Sequence, residues 1–166
     1  MILATIDAAI LSRIKADTGA GGLYESSAWS TTILAGGAWA NTGVPPTSSA
    51  VLYPHLVYTM QCEAEHGFID EGFLATITLD VRDQLQNGMG RVSAVLDRLF
   101  GNAVLQSGRI PTYGFHRHVL ALATNTYGAV GGDCLAVLVG TSMDDEHIIH
   151  GTMVLETHYS ALAANP

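Results

Sequence analysis

The run from Phe73 to Val81 constrains the fold most. Phe73, Ala75, Ile77, Leu79 and Val81 occupy one set of alternate positions, while Thr76, Thr78, Asp80 and Arg82 occupy the other. A period of two is the pattern of a strand with one buried face. Five apolar side chains in a row on that face need a second layer to cover them, and the strand needs partners. The nearest partner is the segment Pro54–Cys62, whose Val57 and Tyr58 point to opposite faces. The stretch Cys62–Glu71 between the two segments predicts an antiparallel hairpin, with Glu63, Glu65, Asp70 and Glu71 gathered in its loop.

Two helices are predicted to supply the covering layer. Residues 2–17 place Leu3, Ile6, Ile10 and Ile14 at three- and four-residue spacing, the repeat of an amphipathic helix. Gln86–Phe100 does the same with Met89, Val92, Leu96, Leu99 and Phe100, and Gly101-Asn102 ends it. Further strands are predicted over Tyr113–Ala123, Leu135–Met143 and His147–Tyr159. A Gly-rich turn at Tyr127–Asp133 and an acidic turn at Asp144, Asp145 and Glu146 separate them. Gly151, in mid-strand, signals a bulge or a close backbone approach. The expectation is one α+β domain over residues 1–166, with a mainly antiparallel sheet of about four to five strands packed against two helices.

Residues 25–50 follow neither period. They are rich in Ser, Thr, Ala, Gly and Pro, carry Trp29 and Trp39, and leave through Pro45-Pro46. A connection this long in a compact domain is usually functional or disordered. Two readings stand for the tryptophans. They fold back on the parent core, or they anchor an arm on a neighbouring subunit, since Trp is enriched at interface hot spots.

Composition favours partners over chemistry. Only 13% of the residues are charged, about half the usual share, which suggests that other subunits cover part of the surface. The net charge is −8 and the sole lysine is Lys15. Tight nucleic-acid binding needs a patch of cations, and the chain has no such run. Cys62 and Cys134 form no disulfide framework or metal spacing, and they read as buried free thiols. The segment Met1–Asp7 lacks the basic region of a signal peptide, and no apolar run approaches the ~18 residues of a membrane span.

The histidines are the one opening for catalysis. His116 and His118 lie two apart on a strand and leave the same face. His147, His150, Glu156 and His158 could add ligands, and zinc would need a third and usually a fourth. A small metal-dependent hydrolase is therefore the alternative reading. Its competitor is a set of polar positions on a sheet face. No Gly-x-Ser-x-Gly elbow and no phosphate-cradling glycine pattern is present. No residue is assigned a catalytic, cofactor-binding or metal-binding role, and the chain is read as a non-enzyme. The acidic groups Glu63, Glu65, Asp70, Glu71, Asp144, Asp145 and Glu146 lack the spacing of a calcium loop. They read as solvated loop tips, or as a negative surface lining a passage to which a DNA backbone does not adhere.

One order of elements remains. An N-terminal helix is followed by Tyr53-Pro54-His55-Leu56-Val57-Tyr58, an acidic turn, and a strand ending Ile77-Thr78-Leu79-Asp80-Val81. A helix ending Leu96-Asp97-Arg98-Leu99-Phe100 comes next, and Ile149–Tyr159 closes the set. This order resembles the tail terminator, or head-to-tail joining, proteins of tailed bacteriophages, over nearly the whole chain outside residues 25–50 and the Gly-rich turn. The resemblance implies a subunit of a homo-oligomeric ring, commonly a hexamer. The ring would be assembled in the host cytoplasm and end up in the virion. It would cap the tail tube, stop tube polymerisation and meet the head-tail connector, with DNA passing through its lumen. The resemblance brings no catalytic residues and no cofactor. Trp29 and Trp39 are then the candidate subunit contacts, and the acidic groups the candidate lumen or ring–ring surface.

Overall fold

The computed structural model describes residues 2–18, 21–26, 29, 32–40, 52–66, 71–101, 113–115, 120, 122, 127–129, 135–143 and 147–161. Helix α1 covers Ile2–Lys15 and α2 covers Met89–Phe100. The strands are β1 (Ala38–Ala40), β2 (His55–His66), β3 (Glu71–Gln84), β4 (Tyr127–Ala129), β5 (Leu135–Met143) and β6 (Ile148–Ala161). They form one sheet in the order β1-β2-β3-β6. Strands β4 and β5 both pair with β6, each along a different stretch of it. Every pairing is antiparallel except β1 with β2. The fold is α+β, as the alternation and helical spacing predict.

The alternating pattern of β3 sorts the sheet into two faces. On the inner face Ala75, Ile77, Leu79 and Val81 are fully buried, together with Leu56 and Tyr58 of β2 and Met153 and Leu155 of β6. Both helices pack there. Ile6, Ile10 and Ile14 of α1 repeat every four residues and are fully buried. The Tyr58 hydroxyl donates to Asp7 Oδ1 at 2.5 Å, tying that helix to β2. Helix α2 buries Val92, Val95, Leu96 and Leu99. Each such side chain contributes about 1.5–3 kcal/mol when withdrawn from water, so these four side chains suffice to dock the helix.

Gly151 shows how closely α2 approaches. A Cβ at that position would lie 2.5 Å from both Val92 Cγ1 and Leu96 Cδ1. Of the two outcomes expected for this glycine, close approach is the one found; the irregularity in the sheet falls in β5, between Leu138 and Gly140. Gly101 ends α2 in the left-handed region (φ 88°), where its N–H bonds Asp97 O.

Several boundaries differ from the sequence reading. Strands β2 and β3 run in continuous register out to His66 opposite Glu71. Glu63, Glu65 and Glu71 are therefore strand residues and not loop residues, because backbone pairing persists where side-chain alternation fades. Gln86 belongs to a short 3-10 turn, Leu85–Asn87, and α2 starts only at Met89. Tyr127–Ala129, expected in a turn, is strand β4. The strand expected over Tyr113–Ala123 is not present at its described residues, 113–115, 120 and 122. Gly114 adopts φ 76°, with its Cα so near the end of α2 that a Cβ would lie 2.7 Å from Leu99 O. There the Phe115 N–H donates to Leu99 O at 2.7 Å. Residues 113–115 thus cap the ends of the helices.

That cap is polar and buried. Asp17 is 3% exposed and accepts from Leu23 N and from Arg98. The Arg98 guanidinium also lies 3.5 Å from the centre of the Tyr113 ring. Arg13 Nε donates to Gly114 O at 2.7 Å. The pair with Asp17 holds the Arg98 proton even more firmly than usual, whereas burial works against the charge of Arg13. Among the described residues no helix is long and apolar enough to cross a membrane.

Candidate interaction surfaces

Two surfaces of the described sheet carry candidate residues once the helices have covered its inner face. The first is the β1 edge. Strand β1 is only three residues long, and its register places Trp39 opposite Val57, on the outer face. The Trp39 ring meets the His55 ring edge-on at 5.6 Å, and Tyr53 approaches His55 from another side at 5.0 Å. Trp29 meets Tyr24 edge-on at 4.7 Å, and Lys15 Nζ lies 5.9 Å from the centre of the Tyr24 ring. Gly37 joins the two groups: a Cβ there would lie 3.5 Å from atoms of both Trp29 and Trp39. The structure thus brings the two candidate tryptophans together, around one glycine. Both are half-buried, and Trp29 packs on the main core. They rest on their own subunit without being fully buried.

The second surface is the outer face. Arg82 lies between His55 on one side and His150 on the other in the strand register, and Asp80 lies between Val57 and Thr152. Asp80 accepts from Arg82 Nε at 2.7 Å, sits 3.2 Å from His150 Nδ1, and receives the Thr152 hydroxyl at 3.4 Å. With Thr59 and Thr78 these residues line a shallow depression of about 350 Å³. Asp80 balances the Arg82 charge beside it, and Asp80, Arg82 and His150 all keep part of their surface in water, so the group is a solvated network.

His55 is the residue that sequence reasoning missed. It is 3% exposed although it lies on the outer face, and among the described residues neither ring nitrogen makes a hydrogen bond of good geometry. Burial pushes its imidazole below the usual histidine range. The Arg82 charge pushes the same way, and the Leu52 carbonyl and Asp80 push against it. The only signal in the sequence was its place at the start of a strand, directly after Tyr53-Pro54; nothing there showed that Trp39 would cover it.

The other candidates divide by position. Glu63 is exposed on β2, while Glu65 and Glu71 are strand residues facing Gly72 and His66 in the register. Asp70, Asp144, Asp145 and Glu146 lie outside the described residues, as do His116, His118 and Cys134. His150, Glu156 and His158 share the outer face as the alternation predicts, with Glu156 and His158 exposed. Among the described residues no three His, Cys, Asp or Glu side chains converge as a metal site. Cys62 is half-buried, and burial raises its thiol pKa. No protein-family model matches this chain, and no curated protein is similar enough to count as a relative.

Proposed function

We propose that this chain is a structural subunit that assembles side by side into a ring at the head-proximal end of a phage tail, ending tube polymerisation and joining tail to neck. The observation that carries this reading is the aromatic β1 edge. Trp29 and Trp39 flank Gly37 there, and neither residue is fully buried. A large, rigid, half-exposed aromatic pair is the kind of anchor around which protein interfaces concentrate their energy. A ring needs two different complementary surfaces on each subunit. Among the described residues the sheet has two unlike edges, one made by β1 and the other by β4 and β5. The low charge content and the element order resembling tail terminators support the same reading. Function then comes from shape and contact area, with tail tube and head-tail connector proteins as partners. The acidic groups would face the lumen or an adjacent ring.

Native mass measurement and electron microscopy of the purified protein, alone and with tail tubes, test the proposal. Closed rings, commonly six-fold, are expected in at least one setting. Trp29→Ala with Trp39→Ala should abolish them, with melting curves separating loss of assembly from loss of subunit fold. A strict monomer in both settings overturns the reading. A monomer that retains stoichiometric zinc would favour the hydrolase instead.

A further inference from the structure

We propose that His55 is a proton-operated latch: taking up a proton in mildly acidic solution releases the strap Gly36–Ala40 from the edge of β2. The strap is what keeps this histidine out of water. Trp39 covers its ring from β1, Tyr53 covers it from the segment ahead of β2, and among the described residues only the Leu52 carbonyl approaches it as an acceptor, without a hydrogen bond of good geometry. The charged and titratable groups facing it are Arg82 and Asp80 of β3 and His150 of β6, with Tyr53 beside it. In the closed form a second positive charge next to Arg82 would be desolvated, with Asp80 already engaged by Arg82, His150 and Thr152.

The strap can yield without the rest of the domain. Among the described residues it is an edge element, whereas the other side of β2 pairs with β3 along its full length. Gly36 N bonds Pro54 O at 2.8 Å and Leu56 N bonds Gly37 O at 2.9 Å. Leu34, just before the strap, is fully buried in the core and stays as the anchor. Opening hydrates His55, which then titrates near the ordinary value of about 6.5. The closed form binds the proton less readily. The strap is therefore held most firmly above pH ~6.5, and its hold is lost as pH falls toward the lower closed-state value. Across that window the ratio of open to closed strap rises by up to about tenfold per pH unit. Opening exposes the backbone edge of Leu56–Tyr58 and frees Trp39.

Amide hydrogen exchange on the unmodified chain reads the latch directly. The protection factor of the Leu56 N–H, bonded to Gly37 O, should fall by up to about tenfold per unit between pH 6.5 and 5. That of Ile77, in mid-sheet, should hold constant. His55→Phe, which keeps a ring and cannot take a proton, should abolish the change, and His150→Gln should retain it. A pH-independent Leu56 protection factor overturns the proposal. So does an equal fall at Leu56 and Ile77, or a fall that survives in His55→Phe. If His55→Phe does not fold, the His55 titration followed by NMR in the unmodified chain decides. A value below 6.5 sustains the latch, and one at or above 6.5 ends it.

Discussion

Arg98 and Asp17, 81 positions apart in sequence, meet through two hydrogen bonds, Nε to Oδ2 at 2.7 Å and Nη2 to Oδ1 at 2.5 Å. The carboxylate is 2% exposed and the guanidinium 25%. Removing one member of such a pair strands the other, and the cost exceeds what the pair contributes as a whole. Arg98→Leu should destabilise the subunit by about 3 kcal/mol, measured by urea unfolding. Asp17→Asn should cost less, because its amide oxygen can still accept from Leu23 N.

Gly151→Ala introduces a methyl group where α2 already touches β6. A Cβ 2.5 Å from Val92 and Leu96 forces the helix or those side chains to shift, at a cost of about 1–3 kcal/mol. Val92→Ala should recover part of that loss in the double variant, so the two changes will be non-additive in a thermal-melting cycle.

Tyr58 predicts an alkaline limit. Its hydroxyl is desolvated and donates to the Asp7 carboxylate, and both effects hold its proton far above the ordinary tyrosine range. The unfolded chain loses that proton near pH 10. The stabilisation is thus complete below pH ~10 and is lost above it, at up to about 1.4 kcal/mol per pH unit. Tyr58→Phe should cost about 2 kcal/mol at neutral pH and flatten the alkaline slope in denaturant titrations from pH 9 to 11.

Asp80→Ala separates the two candidate surfaces. It removes the acceptor shared by Arg82 and His150, all three being partly exposed, so the cost should be roughly 1 kcal/mol. Assembly through the β1 edge predicts unchanged particle mass for this variant. Loss of particles at retained stability would move the interface to the outer face.

The long strands and both helices were legible from their periodicities, whereas the three-residue strands β1 and β4 were not. Phe73–Val81 named its own buried face, and Ile6, Ile10 and Ile14 named theirs. What the sequence could not carry was register. Asp80, Arg82 and His150 each lie on the polar side of a strand, yet only the alignment of β3 with β6 makes them neighbours. The same holds for Trp29 and Trp39, whose meeting around Gly37 depends on turns with no periodic signal. Residues Tyr113–Phe115 misled for a related reason. They open a run whose composition suits a strand, but the hydrogen bond from Phe115 to Leu99 O holds them against the end of α2.

Strand β6 receives β3 on one side and β4 and β5 on the other, and its residues are the last to be translated among the described residues of the sheet. A growing chain therefore cannot close the inner face until position 161 has left the ribosome. Until then the hairpin of β2 and β3 waits with one rim bare. Synthesis of this molecule should thus leave a long interval in which holdase chaperones have something to grip.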